Sequence, residues 1–259
     1  MLGIGQNPLG AGRTIQGYEI VRMLGAGGFG IVYEGYNPVI DRRAAIKEFF
    51  PQGMATREEA TAIISVGDQH QNVFDKVLKK FRETTGYLAK LDHPNIVKVY
   101  GYHDEPPTAY MLMDYVEGET LRNWRNSPGR RFTAATFRSI FKPIVDALVY
   151  LHSHDMYHRD ISPENILVDQ DDRPVIIDFG AVKQEMRQRR SEDKTGITST
   201  LVIAREDYAP PEQLQLFPTP VGPYTDIYSL ALTMYELLCA ERPPKAGERM
   251  GAKEISGED

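Results

Sequence analysis

The sequence predicts an α+β protein of two lobes, a small lobe with an antiparallel β-sheet and one main helix, and a larger, mainly helical lobe. Strand-forming runs dominate the chain to about residue 115, whereas the second half changes to apolar residues at helical spacing. The length of 259 residues suits one large domain or two lobes. Hydrophobic residues make up 41% and charged residues 25%, so the chain can build a core and is not disordered throughout.

The small lobe is expected to follow a flexible tail at residues 1–16, which are rich in Gly, Asn and Pro. A helix is predicted over about 73–91, because its apolar residues fall near one face. Residues 51–72 show no clear pattern and are interpreted as an insertion or a loop. The predicted strands lie around them, at Tyr18–Val21, Ile31–Tyr33, Ala44–Lys47, Ile96–Tyr100 and Ala109–Tyr115.

The larger lobe is predicted from two helices and a hairpin. Thr133 can cap a helix that runs to about Leu151, and Pro143 inside that pattern predicts a kink or a break. Two short strands flank the turn Asp169–Pro174. The last helix opens at Thr225 and ends near Ala240, and its wide apolar face predicts a buried core helix.

Composition excludes several functional classes. Cys239 is the only cysteine, so no intrachain disulfide can form, and a reducing, cytoplasmic location is expected. The net charge of −6 argues against a nucleic-acid partner. No apolar run reaches the roughly 18 residues of a membrane span, and the first residues lack the pattern of a signal peptide.

A glycine-rich segment is the first motif with chemical meaning. Gly25, Gly27 and Gly30 fit the spacing G-x-G-x-x-G, which is a weak signal by itself. A dinucleotide-binding turn would need a helix after Gly30, but a strand-forming run follows. A glycine hairpin between strands can lay backbone N–H groups over phosphates, although a plain Gly-rich turn explains the motif equally well.

Acidic and amide side chains next to the predicted hairpin form the second motif. Asn165 lies just before one strand and Asp178 just after the next, so closing the hairpin brings them side by side. Two such oxygen ligands suit a sparse Mg²⁺ site. Asp160, five residues before Asn165, can accept a proton from an incoming hydroxyl. Lys47 can neutralise phosphate oxygens, or it can be a solvated surface charge.

Taken together, these motifs make the sequence resemble a protein kinase domain, and in particular the bacterial serine/threonine kinases that are similar to eukaryotic ones. The matching pieces occur in the family order over about residues 18–244. They are Gly25–Val32, Ala44–Lys47, His93–Val97, Tyr110–Tyr115, His158–Asn165, Asp178–Gly180, Tyr208–Glu212 and Asp226–Leu230.

The resemblance implies a two-lobed protein-kinase-like fold over residues 17–259. It places the small lobe at about 17–114, a hinge at about 114–119 and the large lobe at about 120–259. Only about 19 residues follow the last predicted helix, where the family has three more helices, so the domain is expected to be truncated or minimal. The arginine that pairs with Glu212 in the family has no obvious match.

The resemblance also implies the activity, which is transfer of the γ-phosphoryl group of ATP to protein hydroxyls, with autophosphorylation. ATP and Mg²⁺ are the implied cofactors, Mn²⁺ is an alternative metal, and proteins are the substrates; the oligomeric state stays open. Catalysis would rest on Asp160, Lys47, Asn165 and Arg205, and the metal on Asn165 and Asp178. Asp226, at the start of the last predicted helix, would anchor the backbone of the catalytic loop, residues His158–Asn165. ATP would contact Leu24, Gly25, Ala26, Gly27, Gly28, Phe29, Gly30, Val32, Ala45, Lys47, Met113, Asp114, Tyr115, Val116 and Leu167.

Departures from the family pattern leave alternatives open. Kinases pair the lysine with a helix glutamate, but that position is Thr84 here, and Glu83 is one residue away. Either a local bulge turns Glu83 towards Lys47, or the pair is absent or replaced, or Glu83 is a solvated charge. Ser162 and Arg205 stand where the family has lysine and threonine, which indicates a swap of the two roles; alternatively, Arg205 is an exposed loop charge.

Phosphorylation is expected in the segment between Asp178 and Glu212. A phosphate there could pair with Arg159 of the catalytic loop, although the segment can also be an unmodified, hydroxyl-rich loop. The candidate sites are Thr195, Thr198, Ser199 and Thr200. Two rival functions are a pseudokinase or nucleotide-binding scaffold with weak or no transfer, and a small-molecule kinase of the aminoglycoside type.

Overall fold

The computed structural model describes residues 8–58, 64–130, 132–179, 183–184, 207–214 and 219–249. They form two compact units. The first contains the chain up to Asp92 together with Val97–Val116, and the second contains His93–Ile96 and the chain from Glu117 onward.

The first unit is built on a six-stranded antiparallel sheet with the order β1-β2-β3-β4-β8-β7. Hairpins join the neighbours β2–β3, β3–β4 and β7–β8, so most contacts of the sheet are between strands that follow each other in sequence. The strands are β1 (Thr14–Ile15), β2 (Tyr18–Gly27), β3 (Gly30–Asn37), β4 (Arg42–Phe49), β7 (Val99–Glu105) and β8 (Thr108–Asp114).

Helix α1 (Gln71–Leu88) packs on one face of this sheet, which confirms the helix predicted over 73–91. Its apolar residues fall on one side because of the 3.6-residue period. The ring of Phe49 at the end of β4 lies 5.1 Å from the ring of Phe74 and 5.5 Å from that of Phe81. These contacts fix α1 against the strand that carries Lys47.

Of the two interpretations of residues 51–72, the loop is wrong for much of that range, and the insertion stays a prediction. It contains the hairpin β5 (Ala55–Arg57) and β6 (Ile64–Val66) and a 3-10 turn at Asp68–His70. The strands have three residues each, so they are too short to show an alternating apolar pattern. One of the inward positions is also an arginine, which sequence patterns assign to the surface.

The strand predicted at Ile96–Tyr100 begins three residues later, at Val99. Ile96 and Val97 are buried, but Ile96 belongs to the second unit and forms an isolated bridge with Ile176 there. Both segments are apolar because both are buried, so apolar character alone could not locate the start of the strand. The neighbouring strand predicted at Ala109–Tyr115 is confirmed as β8.

In the described part of the chain, the second unit contains helices and short strands. The helices include α2 (Leu121–Asn126), α3 (Ala134–Ser153) and α4 (Pro223–Cys239), and the strands are β9 (Gly118–Thr120), β10 (Met156–Tyr157), β11 (Ile166–Asp169), β12 (Pro174–Ile176) and β13 (Lys183–Gln184). The hairpin predicted around 169–174 is confirmed, with Leu167 opposite Val175. Thr133 caps α3 by accepting a hydrogen bond from the N–H of Thr136, as predicted.

Two predictions for these helices need correction. Helix α3 runs unbroken through Pro143, so a break there is wrong; Ile140 and Ile144, buried on either side, hold both halves of the helix in place. Helix α4 was expected to be a buried core helix, but Ile227 and Leu238 are about half exposed. The opposite side of α4 is buried, and it carries Asp226 and Glu236 among its core residues.

Membrane crossing by a helix needs both length and apolar character, and no helix in the described ranges has the two together.

Candidate functional site

In the first unit, the alternation of strand residues places Lys47 on the same sheet face as several predicted nucleotide-binding side chains. Lys47 lies opposite Val32 of β3, and Ala45 lies opposite Met113 of β8. Paired residues of antiparallel strands share a face, so these four side chains lie on one face. Lys47 is only 7% exposed, so its side chain is not a solvated surface charge.

The glycine motif forms a two-residue hairpin turn at Gly28–Phe29, closed by the pair Gly27 and Gly30. A Cβ at position 30 would lie 2.0 Å from the carbonyl oxygen of Glu48, so Gly30 is required by the approach of β3 to β4. A Cβ at Gly25 or Gly27 would meet nothing within 4 Å. The fold therefore explains only the last glycine, and the space beside the other two is open to a ligand.

The segment predicted as a hinge is held from the sheet side by arginines. Arg42 donates to the Asp114 carboxylate at 2.7 Å. The guanidinium of Arg43 lies 3.9 Å from the centre of the Tyr115 ring, and Arg22 donates to the Tyr115 hydroxyl at 3.3 Å. These contacts fix the backbone of Asp114 and Tyr115, the groups expected to meet adenine. Leu24 of β2 is 38% exposed and Val116 is half-buried.

Helix α1 buries Thr84 and leaves Glu83 partly exposed. Glu83 pairs with Lys80 at 3.8 Å, and its side chain is 37% exposed. Thr84, at the position where kinases carry glutamate, is 7% exposed. An ion pair of Glu83 with Lys47 stays a prediction, and it requires the Glu83 side chain to leave Lys80.

In the second unit, the loop before β11 brings Asp160 and Asn165 together. The side-chain amide Nδ2 of Asn165 donates to the backbone oxygen of Asp160 and to its carboxylate Oδ2, each at 2.7 Å. These two acceptors fix which end of the Asn165 amide is nitrogen. The amide oxygen Oδ1 therefore points away from Asp160, and the Asp160 carboxylate is held in one orientation.

The hairpin places Asp178 beside this loop. The N–H of Ile177 donates to the backbone oxygen of Asn165 at 2.9 Å, so the residues at the two strand ends are neighbours, as predicted. Asp178 has a φ of 59°, in the left-handed region that few non-glycine residues occupy. Leu167, expected to contact adenine, lies half-buried in β11 between Thr120 and Val175.

Asp226, in the first turn of α4, holds the same loop through the backbone of His158 and Arg159. The Asp226 side chain is fully buried and accepts hydrogen bonds from the N–H of His158 at 2.9 Å and the N–H of Arg159 at 2.7 Å. The ring of His152 adds a third contact to Asp226 at 2.8 Å. Arg159 has a φ of 65°, and its bonded N–H offsets the cost of that conformation. The anchoring role predicted for Asp226 is confirmed.

A partly buried polar cluster that the sequence did not indicate lies next to this loop. Arg122 of α2 donates to Glu236 of α4 at 2.7 Å and to the Tyr208 hydroxyl at 2.6 Å, and it pairs with Glu164 of the catalytic loop. Burial, together with the adjacent Glu236, raises the pKa of Tyr208 well above its ordinary value. No local signal joins residues 114 positions apart in sequence, so only the fold reveals the cluster.

Glu212 has a partner other than the arginine of the family pattern. Its carboxylate accepts a hydrogen bond from the Thr225 hydroxyl at 2.9 Å. Thr225 lies in the first turn of α4, one residue before Asp226. The same turn therefore holds both the catalytic loop and the segment around Glu212. Arg205, Thr195, Thr198, Ser199 and Thr200 lie outside the described residues.

A family model described as the protein kinase domain matches residues 18–258. The chain belongs to the protein kinase family. The resemblance found in the sequence is therefore confirmed, and so is the kinase fold. The chain is 31% identical to the serine/threonine-protein kinase PknD of Chlamydia caviae, over 92% of this chain and 26% of that protein.

Two further matches agree with this assignment. The serine/threonine-protein kinase PrkC of Bacillus subtilis is 31% identical over 90% of this chain and 32% of its own length. A solved structure of the apo form of PpkA-294 matches with a TM-score of 0.78 and 30% identity, over 95% of this chain and 83% of that chain. The chain thus spans about a quarter of the length of this PknD and about a third of that of PrkC.

Proposed function

We propose that the chain is an ATP- and Mg²⁺-dependent protein kinase that phosphorylates serine and threonine hydroxyls and also phosphorylates itself. The observation that carries the proposal is the arrangement of Asp160, Asn165 and Asp178 on the catalytic loop and its hairpin. Family membership and the names of the relatives support the same reaction. The choice of serine and threonine over tyrosine follows the relatives and is part of the proposal.

The residues present fit a magnesium ion. Both hydrogen bonds of the Asn165 amide nitrogen are used within the loop, which turns its Oδ1 outward as an oxygen ligand. Asp178 supplies a carboxylate from the adjacent strand end. Carboxylate and amide oxygens, completed by water and phosphate, are the donors that Mg²⁺ prefers. When bound, the ion would offset negative charge on the transferring phosphoryl group.

Asp160 would act on the acceptor hydroxyl. Asn165 Nδ2 donates to Asp160 Oδ2 and so orients the carboxylate that would meet the incoming hydroxyl. This carboxylate accepts the hydroxyl proton as the hydroxyl oxygen bonds to the γ-phosphorus and the bond to the β–γ bridging oxygen of ATP breaks. ADP leaves with that bridging oxygen. In the first unit, Lys47 would pair with the α- and β-phosphates, and the open sides of Gly25 and Gly27 admit the triphosphate.

The test is incorporation of labelled phosphate from ATP by the wild type and by Asp160→Asn. We expect the variant to lose about 100-fold or more of the rate, which is the range for a general base. Asp146→Asn is the matched control, because Asp146 is an exposed partner of Lys142 on α3. Equal incorporation by wild type and Asp160→Asn would refute the role of Asp160, and mass spectrometry of the product would identify the modified residues.

The second candidate is a nucleotide-binding scaffold that transfers little or no phosphate. The position of Glu83 favours it, since the structure pairs Glu83 with Lys80. A thermal shift on addition of ATP and Mg²⁺ without phosphate incorporation would support the scaffold and refute the kinase. Three further points stay predictions: the swap of roles between Ser162 and Arg205, the phosphorylation sites and the cytoplasmic location. Recovery of activity on adding Ser162→Lys to Arg205→Thr would support the swap.

A further inference from the structure

The segment that directly follows β4 begins three residues after Lys47. It runs from Phe50 to Arg57, and we call it the brace segment. Phe50 is fully buried, and so nearly are Ala55 and Arg57, which belong to the short strand β5. A buried segment must satisfy its polar groups inside the protein, and the partners of this segment are informative.

The first partner of the brace segment is the glycine turn. The N–H of Phe50 donates to the carbonyl oxygen of Phe29 at 3.2 Å, and the N–H of Gln52 donates to that of Gly28 at 2.9 Å. The C=O and N–H of a trans peptide point in opposite directions. The N–H of Phe29, which shares a peptide with the Gly28 carbonyl, therefore points away from the brace segment, and the turn is held in this orientation.

The second partner is Glu48, the residue after Lys47. Arg57 forms an ion pair with the Glu48 carboxylate, and the hydroxyls of Tyr33 and Tyr110 donate to that carboxylate at 2.8 and 3.0 Å. The Glu48 side chain is completely buried, and the Arg57 side chain is 2% exposed. Burial raises the pKa of Glu48, and Arg57 is the strongest influence opposing that rise.

A buried ion pair is weak evidence for stability, because apolar side chains of the same size often stabilise a core as well or better. What such a pair determines here is the face of the sheet on which the Glu48 side chain lies. Glu48 and Lys47 are consecutive on β4, so their side chains lie on opposite faces of the sheet. A slip of one residue would exchange the two faces. The bond of Arg57 to Glu48 holds Glu48 on its own face, and thereby Lys47 on the other.

We propose that the brace segment positions both phosphate-binding elements of the first unit, the glycine turn through Phe50 and Gln52, and Lys47 through the Arg57–Glu48 pair. The inference rests on the proposed function of Lys47 and the glycine turn. The Arg57 side chain and the backbone N–H of Gln52 are positioning groups, because they act through Glu48 and Gly28. Loss of either group lowers the nucleotide affinity of the folded protein.

Two independent variants test the proposal, each with a control. Arg57→Met removes the ion pair, Arg57→Lys keeps the positive charge, and Arg82→Met removes a partly exposed pair with Asp104 in the same unit. Gln52→Pro removes the N–H that bonds Gly28, whereas Gln52→Ala keeps it. The readout is the dissociation constant of a non-hydrolysable ATP analogue with Mg²⁺, measured by calorimetry where circular dichroism shows each variant folded.

We expect Arg57→Met and Gln52→Pro each to weaken binding about tenfold, the scale of one well-formed hydrogen bond to a buried group. Arg57→Lys should weaken binding less than Arg57→Met, and Arg82→Met and Gln52→Ala should bind as the wild type does. A purely structural role would lower the melting temperature and leave the affinity of folded molecules unchanged.

Equal affinity of wild type and Arg57→Met would overturn the proposal, whatever Gln52→Pro does. The measurement needs no phosphate transfer, so it separates the two proposals. A wild type that binds the analogue and transfers no phosphate would refute the kinase activity and still decide the role of the brace segment. A wild type that binds no nucleotide would overturn both.

Discussion

Replacing Asp226 by asparagine tests how the catalytic loop is held. The Asp226 carboxylate, fully buried, accepts two backbone N–H bonds and one contact from His152, at 2.7 to 2.9 Å. Asparagine keeps one acceptor oxygen and places an NH₂ group where the second was, so at least one buried N–H loses its acceptor. Loss of a hydrogen bond between a buried N–H and a charged acceptor is expected to lower the free energy of unfolding by about 2–4 kcal/mol.

The assay is urea unfolding followed by circular dichroism, together with the phosphate-transfer rate at a temperature where the variant is folded. A loss of this size corresponds to a fall of roughly 4–16 °C in melting temperature. Transfer should fall as well, because the loop that carries Asp160 loses its anchor. Asp146→Asn, at an exposed pair, should change stability by less than about 0.5 kcal/mol. If Asp226→Asn matched this control in both stability and rate, the anchoring role of Asp226 would be refuted.

Three smaller predictions follow from local contacts. Thr133→Ala removes the cap of α3 and should cost about 1 kcal/mol in urea unfolding, whereas no loss would show that the cap is dispensable. Gly30→Ala should prevent folding or lower the melting temperature sharply, and Gly25→Ala should leave it unchanged; similar melting temperatures would contradict the proposed close approach. The hydrogen bond from Trp124 lowers the pKa of Asp172, so the stability it contributes is present above the ordinary pKa and is lost as the pH falls through the lowered one. Fluorescence of this single tryptophan should show that step, and Asp172→Asn should abolish it.

Local signals predicted the elements whose structure is decided locally. The cap at Thr133 and the turn at 169–174 depend on residues that are close in sequence, and the structure contains both. The hairpin then predicted the neighbourhood of Asn165 and Asp178. Pro143 gave a misleading signal, because packing of the buried residues around it maintains the helix.

Long-range pairs could not be predicted in the same way. Arg57 reads as a surface charge in the sequence, and only the fold brings it to Glu48. A partial signal did exist, since the consecutive charges Lys47 and Glu48 inside a central strand must place one charge on each face. Arg122 and Glu236 gave no such signal, and their contact depends on how α2 and α4 pack.

The proposed kinase reaction assigns phosphate binding to Lys47, proton acceptance to Asp160 and the metal to Asn165 and Asp178. The most direct measurement is a crystal structure with a non-hydrolysable ATP analogue and Mg²⁺. We expect Lys47 Nζ at hydrogen-bond distance from the α- and β-phosphates, and a metal bound by Asn165 Oδ1 and the Asp178 carboxylate at about 2.1 Å. An analogue bound elsewhere, or a metal that neither of these side chains contacts, would contradict this proposal.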